Sequence, residues 1–476
     1  MSNWKQNEMQ AIELINIAGK LWLEKNIELT IFRRNIADAR FTEILNNKEF
    51  TNKYLNTNIT IEDFLNISKV IEQLDLAPTR IDLSTLGGQW LAEKASFNNS
   101  YEDFVASKLA NYIGKDKRVI EPKDVVLFGF GRIGRLVARE LIQQHGKGEQ
   151  LRLRAIVTRG NSDDEIKKRS SLLRKDSVHG KFRGVITEDY QNKTLIANGN
   201  VIHMIAADNP AEIDYTKYGI QNALLIDNSG IWRDEEKLSN HLKANGIDKV
   251  LLTAPGKGSL PNIVYGVNHL SYKQDDFKIF TAASCTTNAI SPIIKVIKDK
   301  YGIESGHVET VHSYTNDQNL LDNYHKKYRR GRSAPMNMVI TETGAASAIT
   351  KVIPEMAGKF TGNAVRVPTP DVSLAILNLN LASEANSIEE VNNILKEAGT
   401  HGELVEQIDF STSQELVSTD CIGNSHASIV DSNATLLAPS NKSIVLYVWY
   451  DNEYGYTRQV VRLAKYIGKV QRLTYY

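Results

Sequence analysis

Residues 124–144 read DVVLFGFGRIGRLVARELIQQ, and no other stretch limits the possible folds as strongly. An apolar run of strand character reaches Gly129, Gly131 and Gly134 follow, and apolar residues at helical spacing come next. G-x-G-x-x-G in this setting has a physical reading. Gly129 permits the tight turn, Gly131 lets backbone approach a pyrophosphate, and Gly134 lets the helix pack on the strand. The first turn of that helix, with Arg132 and Ile133, offers unpaired N–H groups and the positive end of the helix dipole, which favour an anion. Glycines also simply make turns, but this position between two periodicities points to a dinucleotide-binding (Rossmann) domain and an α/β fold.

At 476 residues the chain exceeds one ordinary core, so two or three domains are expected. Its formal charge of +1 creates no global field for nucleic acid or a membrane surface. Two cysteines exclude a disulfide framework, and no Cys/His cluster suggests a metal. The start, MSNWKQNEMQ, lacks the basic and apolar segments of a secretory signal, and no apolar run approaches the roughly 20 residues of a membrane helix. A cytoplasmic, reduced protein is the expectation. Residues 1–120 read as a helical extension. NEMQAIELINIAGKLWLEKN has helical spacing, and TIEDFLNISKVIEQL opens with a Thr cap and a carboxylate close behind. The charged, proline-containing IGKDKRVIEPKD marks a boundary, and no catalytic constellation precedes it.

The second strand of the dinucleotide domain, LRLRAIVTRG, ends in Thr158 and Arg159. An acid at this tip would hold the ribose hydroxyls of NAD; a hydroxyl and a guanidinium suit a 2′-phosphate better. NALLIDNSG and DKVLLTAPGKG read as further buried strands, which places Ser229 and Thr253 at the C-terminal edge, where ligands of doubly wound sheets lie.

TAASCTTNAISPIIKVI places Cys285 among small and hydroxyl side chains at the start of a helical pattern. A cysteine in a first helical turn feels the positive helix end, which favours thiolate, and small neighbours leave room for an electrophile. His312, in VETVHSYTNDQ, is the candidate base. A lone cysteine is more often a small buried hydrophobe and a lone histidine a hydrogen-bonded core residue, and spacing alone does not bring the two together. Cys421 reads as structural.

GFGRIGR, KDSVHGKFRG, ASCTTN, HSYTNDQ, TGAASAITKVIPEMAGKFTGNAVRVP and WYDNEYGY, in this order, closely resemble phosphorylating glyceraldehyde-3-phosphate dehydrogenases over about residues 123–470, in the longer bacterial form with an N-terminal extension. The resemblance implies a dinucleotide domain at 121–284, an α+β catalytic domain at 285–452, a helix at 453–470 packing back on the first domain, and a homotetramer. It implies Cys285 as nucleophile and His312 as base. Thr315 and Arg366 would hold the substrate's phosphate. Ser284, Thr286, Thr343 and Gly344 would hold the attacking inorganic phosphate, with help from Arg330. Asn452 would fix the nicotinamide amide.

Three departures bear on the cofactor. Val157-Thr158 stands where the family usually has Asn-Asp, and Asn323-Tyr324 where NAD-specific members have Leu-Pro. Both permit a 2′-phosphate; Asp208, at a position often occupied by Arg near the adenosine, argues the other way. NADP or dual use is therefore favoured over strict NAD. The basic run HKKYRRGR could bind phosphates nonspecifically, but the resemblance places it in the loop lining the neighbouring subunit's cofactor site rather than in nucleic-acid binding. Erythrose 4-phosphate is an alternative aldehyde, and a non-catalytic protein on the same fold the alternative class.

Overall fold

The computed structural model describes residues 2–144 and 150–476. They divide into two compact units, one comprising the chain up to Pro122 with Gln144, Gln150 and Lys469–Tyr476, the other Lys123–Gln143 with Leu151–Gly468.

In the first unit, helices Ser2–Lys25, Phe41–Leu55, Ile61–Gln73, Leu83–Glu93 and Tyr101–Lys108 bury Leu14, Leu21, Ile44, Phe64, Ile71 and Phe104 in one core. The capping signal in TIED is real. Thr60 Oγ1 accepts the Asp63 N–H at 3.0 Å, and Asp63 Oδ2 accepts the Thr60 N–H at 2.8 Å. The unit is not only helical, however. It contains a four-stranded sheet in the order Arg34–Asn35, Glu28–Ile31, Thr79–Asp82, Leu473–Tyr475. These strands run two to four residues. That is too short for a period of two to register in the sequence.

The last strand comes from the far end of the chain. It pairs in parallel with Thr79–Asp82, Leu473 opposite Thr79 and Tyr475 opposite Ile81. Arg472 anchors it: its Nε donates to the carbonyl and side-chain oxygens of Asn26 at 3.0 and 2.7 Å, and its Nη1 to Gln150 Oε1 at 3.0 Å and Glu28 Oε2 at 3.3 Å.

The second unit holds two eight-stranded sheets. In the first, the order is Ile279–Thr281, Ile247–Leu252, Ala223–Asp227, Lys123–Phe128, Leu151–Thr158, Asn200–Ala206, Thr194–Ala197, Ile186–Asp189. The first six run parallel and are nearly continuous apolar segments, as strands covered on both faces must be. Lys123–Phe128 is central, with strands leaving to both sides, so the switch point of the sheet lies beside the glycine-rich turn. The second sheet carries Ile303–Ser313 at its heart, parallel to Phe360–Val367 and antiparallel to Ser373–Leu381, which pairs in turn with Ser443–Tyr450. Helix Cys285–Tyr301 leads from the first sheet into the second. The final helix, Tyr454–Ile467, buries Val460, Val461, Ala464 and Ile467. Tyr454 Oη donates to Glu140 Oε1 at 3.0 Å on helix Arg132–Gln144.

Candidate active site

The glycine-rich turn has the geometry each glycine was assigned. Gly129 has φ +90°, and a Cβ there would stand 2.9 Å from the Ser229 backbone nitrogen. A Cβ on Gly134 would meet the Gly129 carbonyl oxygen at 2.6 Å, whereas nothing lies within 4 Å of one on Gly131. Two glycines are required by packing, and the third opens space where a diphosphate would approach. Ser229 and Thr253 sit at the same edge: Asp227 Oδ1 accepts the Ser229 N–H at 2.8 Å, and the Asp227 carbonyl accepts both N–H and Oγ1–H of Thr253 at 3.0 Å. The residues present therefore fit a dinucleotide. The Arg132 side chain is bound to the Glu453 carboxylate, which leaves the backbone at Arg132 and Ile133 as the anion-facing feature of that turn.

At the tip of the second strand Thr158 is buried and donates its Oγ1–H to the Gly160 carbonyl at 2.8 Å, while Arg159 is exposed. A carboxylate does stand here, although not on the strand. Glu165, one turn into the following helix, is so close to Gly160 that a Cβ on that glycine would meet its oxygens at 2.4 Å. Ser162 N–H and Oγ–H donate to Glu165 Oε2 at 3.1 and 2.9 Å and hold its carboxyl below the usual range. The signal for it was the capping box Ser162-x-x-Glu165. Asp208 is exposed beyond strand Asn200–Ala206, and Asn323 and Tyr324 lie on an exposed loop.

Cys285 is the first residue of its helix, as the sequence suggested, and Ser284 caps it, its Oγ accepting the Thr287 N–H at 3.0 Å. The approach to the helix is pinned at three points. Asn288 Nδ2 donates to the Ala282 and Ser284 carbonyls at 2.8 and 2.9 Å, and Tyr456 Oη donates to the Ala283 carbonyl at 3.0 Å. Ala283 itself has φ +54°, a strained conformation for a residue with a Cβ. The nucleophile's turn is thus held in an unfavourable shape by its surroundings.

The second sheet delivers the rest of the centre by register. His312 pairs with Arg366 on the parallel strand, and Ser373 with Tyr450 on the antiparallel one. His312 Nε2 stands 3.6 Å from Cys285 Sγ. His312 Nδ1 is 2.8 Å from the Ser313 carbonyl oxygen. A carbonyl only accepts, so Nδ1 carries a proton and Nε2 is the pole turned to sulfur. Arg366 Nη1, 2.9 Å from Nδ1, is itself a donor and bonds the same Ser313 carbonyl at 2.9 Å instead. Tyr450 Oη lies 3.0 Å from both Thr286 Oγ1 and Thr310 Oγ1. Its ring stands edge-on to the imidazole, centroids 6.0 Å apart.

Burial raises the Cys285 thiol, opposed by the Arg366 charge and by hydrogen bonds from the helix start. Burial, then Arg366, lowers the His312 imidazole to about 3. Each group alone is thus driven neutral; only a proton passed from sulfur to Nε2 leaves charges that support one another.

Asn452 Oδ1 accepts from both Ser313 Oγ and Ser373 Oγ at 2.8 Å, which fixes its amide and leaves Nδ2 to donate. Thr343 and Gly344 precede helix Ala345–Val352, with Thr343 Oγ1 accepting the Ala345 N–H at 3.2 Å. Arg330 donates to Thr341 Oγ1 from Nε at 3.2 Å and is paired with Asp317, and Thr315 is half-buried in the loop after His312. The structure therefore gathers Ser284, Cys285, Thr286, His312 and Arg366, with Asn452 one hydroxyl behind; Thr315, Arg330, Thr343 and Gly344 have no direct bond to them. Sequence reasoning missed Ser313, Ser373, Tyr450 and Tyr456. Two of these lie in WYDNEYGY, but nothing in the spacing says which hydroxyl meets Thr286 and Thr310 and which the Ala283 carbonyl.

A doubly wound sheet with a fitted dinucleotide turn, joined to a second sheet that sets an imidazole beside a thiol in the first turn of a helix, defines a nicotinamide-dinucleotide oxidoreductase. Residues 123–235 match the family described as glyceraldehyde 3-phosphate dehydrogenase, NAD binding domain, and residues 284–452 its C-terminal domain. A glyceraldehyde-3-phosphate dehydrogenase-like protein of Pseudomonas aeruginosa is 52% identical over 457 residues, covering 95% of this chain and 97% of that protein. Glyceraldehyde-3-phosphate dehydrogenases of Priestia megaterium and Bacillus subtilis are 41% and 40% identical, covering 71% and 72% of this chain and 96% and 97% of their own. The chain belongs to the glyceraldehyde-3-phosphate dehydrogenase family. The Pseudomonas relative shares nearly its full length. Among the described residues no helix is long and apolar enough to cross a membrane.

Proposed function

We propose that the protein oxidises glyceraldehyde 3-phosphate to 1,3-bisphosphoglycerate, reversibly, through a thioester on Cys285. The observation that carries this reading is the 3.6 Å approach of His312 Nε2 to Cys285 Sγ at a helix start beside Arg366. The thiol proton passes to Nε2, and sulfur attacks the aldehyde carbon; the resulting alkoxide takes a proton and becomes a hemithioacetal. The bound dinucleotide supplies the hydride acceptor. As the hemithioacetal is oxidised, His312 takes its hydroxyl proton, and the carbon becomes a thioester. An oxygen of inorganic phosphate then attacks that carbon, the C–S bond breaks, and the thiolate returns. Arg366 and Thr315 hold the substrate's phosphate, and a guanidinium matches that geometry. Ser284, Thr286, Thr343 and Gly344, with Arg330, form the pocket for the attacking phosphate. The N-terminus of helix Ala345–Val352 supports an anion there. Asn452 Nδ2 donates to the nicotinamide amide.

For the dinucleotide we infer NADP or dual use. Exposed Arg159 and a strand tip without its own acid support the 2′-phosphate; Glu165 supplies an acceptor for a free ribose hydroxyl. We also infer a homo-oligomer, because Leu320, Leu321, Tyr324, Tyr328, Met336 and Met338 are all strongly exposed within one short stretch. The test is steady-state turnover of glyceraldehyde 3-phosphate and erythrose 4-phosphate, each with NAD and NADP, with and without phosphate. Cys285→Ser should abolish phosphate-dependent oxidation while dinucleotide binding persists. Near-normal turnover in that variant would remove the thioester from the scheme.

A further inference from the structure

Behind Asn452 lies a second ionisable cluster that this chemistry does not use. His179, Asp371 and Asp451 each place one side-chain atom within 4.8 Å of the others, and both aspartates are buried. The groups facing them come from several elements. Glu453 Oε2 is 3.1 Å from His179 Nε2 and is paired with Arg132. Asp176 lies 3.6 Å from Arg132 and 3.4 Å from Arg135. The Tyr454 ring stands 6.2 Å from that of His179, and the Cys421 thiol feels the charge of Asp451 together with those of Asp409, Asp420 and Asp431. Glu453 and Asp176 are offset by the two arginines, of which Arg132 also feels Asp371, and the one imidazole beside Asp371 and Asp451 is nearer to Glu453.

Two carboxylates this close in a dry site do not both stay ionised. Asp451 is built for charge: it accepts the N–H groups of Gly423 at 2.8 Å, Glu453 at 3.0 Å and Tyr454 at 2.6 Å. Neither Asp371 oxygen has a well-formed hydrogen bond; the neighbouring Val372 N–H favours its charge weakly, and the Asp451 carboxyl opposes it. His179 Nε2 stands 3.5 Å from its Oδ2 but is turned to Glu453. Backbone strain lies beside it as well. Val372 has φ +63°, a conformation that a β-branched residue adopts only where its surroundings impose it. Ser373, the next residue, donates to Asn452 Oδ1. Asp371 is therefore linked to Asn452 through strained Val372 and the Ser373 hydroxyl.

We propose that Asp371 is a positioning residue that carries a proton at neutral pH, directed to Asp451, and that its ionisation loosens the Asp371–Ser373 segment and with it the hold of Asn452 on the dinucleotide. This rests on the role assigned to Asn452. Burial first, then the charges of Asp451 and Glu453, raise Asp371 to about 9. The sign follows: stability from the folded-state proton is full below the ordinary carboxylate range and is lost as pH rises through about 9.

The experiment measures NAD and NADP affinity of the full-length chain by calorimetry across pH about 6 to 10, for wild type, Asp371→Asn and Asp371→Ala. Wild-type affinity should fall about tenfold per pH unit above the transition, as linkage to one proton requires. Asp371→Asn, a neutral isostere, should bind within about threefold of wild type at neutral pH and lose that dependence; Asp371→Ala should bind weakly throughout. A carboxylic-acid C=O infrared band should be present in wild type at pH 7 and fall to about a tenth by pH 10. Because that band needs no variant, a misfolded Asp371→Asn does not end the test. An absent band, or an unchanged slope in Asp371→Asn, overturns the proposal. So does one tightly held divalent metal per chain that Asp371→Asn releases, since a cation would then supply the missing charge. Failure to bind either dinucleotide at any pH would instead defeat the role of Asn452, while the band still reports on Asp371.

Discussion

His312→Asn tests the centre most directly, because the geometry sets a magnitude. A thiolate and an imidazolium 3.6 Å apart, at an effective dielectric of ~20, attract by about 5 kcal/mol. Every 1.4 kcal/mol is tenfold in an equilibrium constant, so losing the imidazolium lowers the thiolate population by up to about 10³-fold. Cys285 is partly exposed, and Arg366 and the helix start remain to support the sulfur charge, so about 10²-fold is the expected loss. The direction is fixed by burial, which raises the thiol when nothing opposes it. The assay is Cys285 alkylation by iodoacetamide across pH about 6 to 10, on enzyme free of substrate. Wild type should react readily near neutrality, and His312→Asn should reach that rate only at more alkaline pH. Phosphate-dependent turnover should fall by roughly 10²–10⁴-fold, the usual contribution of a positioned base. Dinucleotide affinity should not change. Superimposable alkylation profiles would refute the pairing, and lost dinucleotide binding would mean that the substitution had disturbed Ser313 and Asn452 instead.

Thr158→Asp with Arg159→Pro should lower the ratio of kcat/KM for NADP to that for NAD. An Arg–phosphate contact of about 1.5–3 kcal/mol would give about 10–150-fold, and the exposure of Arg159 points to the lower end; an unmoved ratio would show that Glu165 alone sets the preference. Arg472→Met should destabilise the first unit by about 3–5 kcal/mol, because Glu28 loses a buried partner. Urea unfolding followed by the buried Trp22 and Trp90 reads this, and a change below about 1 kcal/mol would make Arg472 incidental.

The legible parts of the sequence were those where chemistry depends on neighbours along the chain. The glycine triplet, the Thr60 cap and the placing of Cys285 at a helix start are all local, and the structure contains each. His312 was nameable from its motif, but its meeting with Cys285 depends on the register of two strands opposite Arg366 and on a turn strained at Ala283. Neither leaves a periodic trace. Glu165 was hidden for another reason. The expected carboxylate was sought on the strand, and the chain supplies one from the next helix's capping box. Asp371 shows the limit most clearly, since its neighbours come from residues 179, 451 and 453 and only folding puts them together.

The same limit explains the extension. Read alone, residues 1–120 lack an edge for their sheet, because the strand that covers Thr79–Asp82 is residues 473–475. Residues 1–120 therefore cannot complete their sheet until residues 473–475 have been added. This alters what a shortened chain should do. A chain starting at Glu121 would leave Lys469–Tyr476 with Gln150 but without its strand partner: Leu473–Tyr475 would lose Thr79–Asp82, and Arg472 would lose Glu28 and Asn26. Removing residues 1–120 and 469–476 together removes that unpaired strand and leaves Gln150 as the side chain that loses its partners. If the extension has no part in the chemistry, the doubly shortened chain should be the more soluble of the two and should oxidise the aldehyde at the full-length rate. If both shortened chains fold, bind dinucleotide and fail to turn over, the extension belongs to the catalytic machinery.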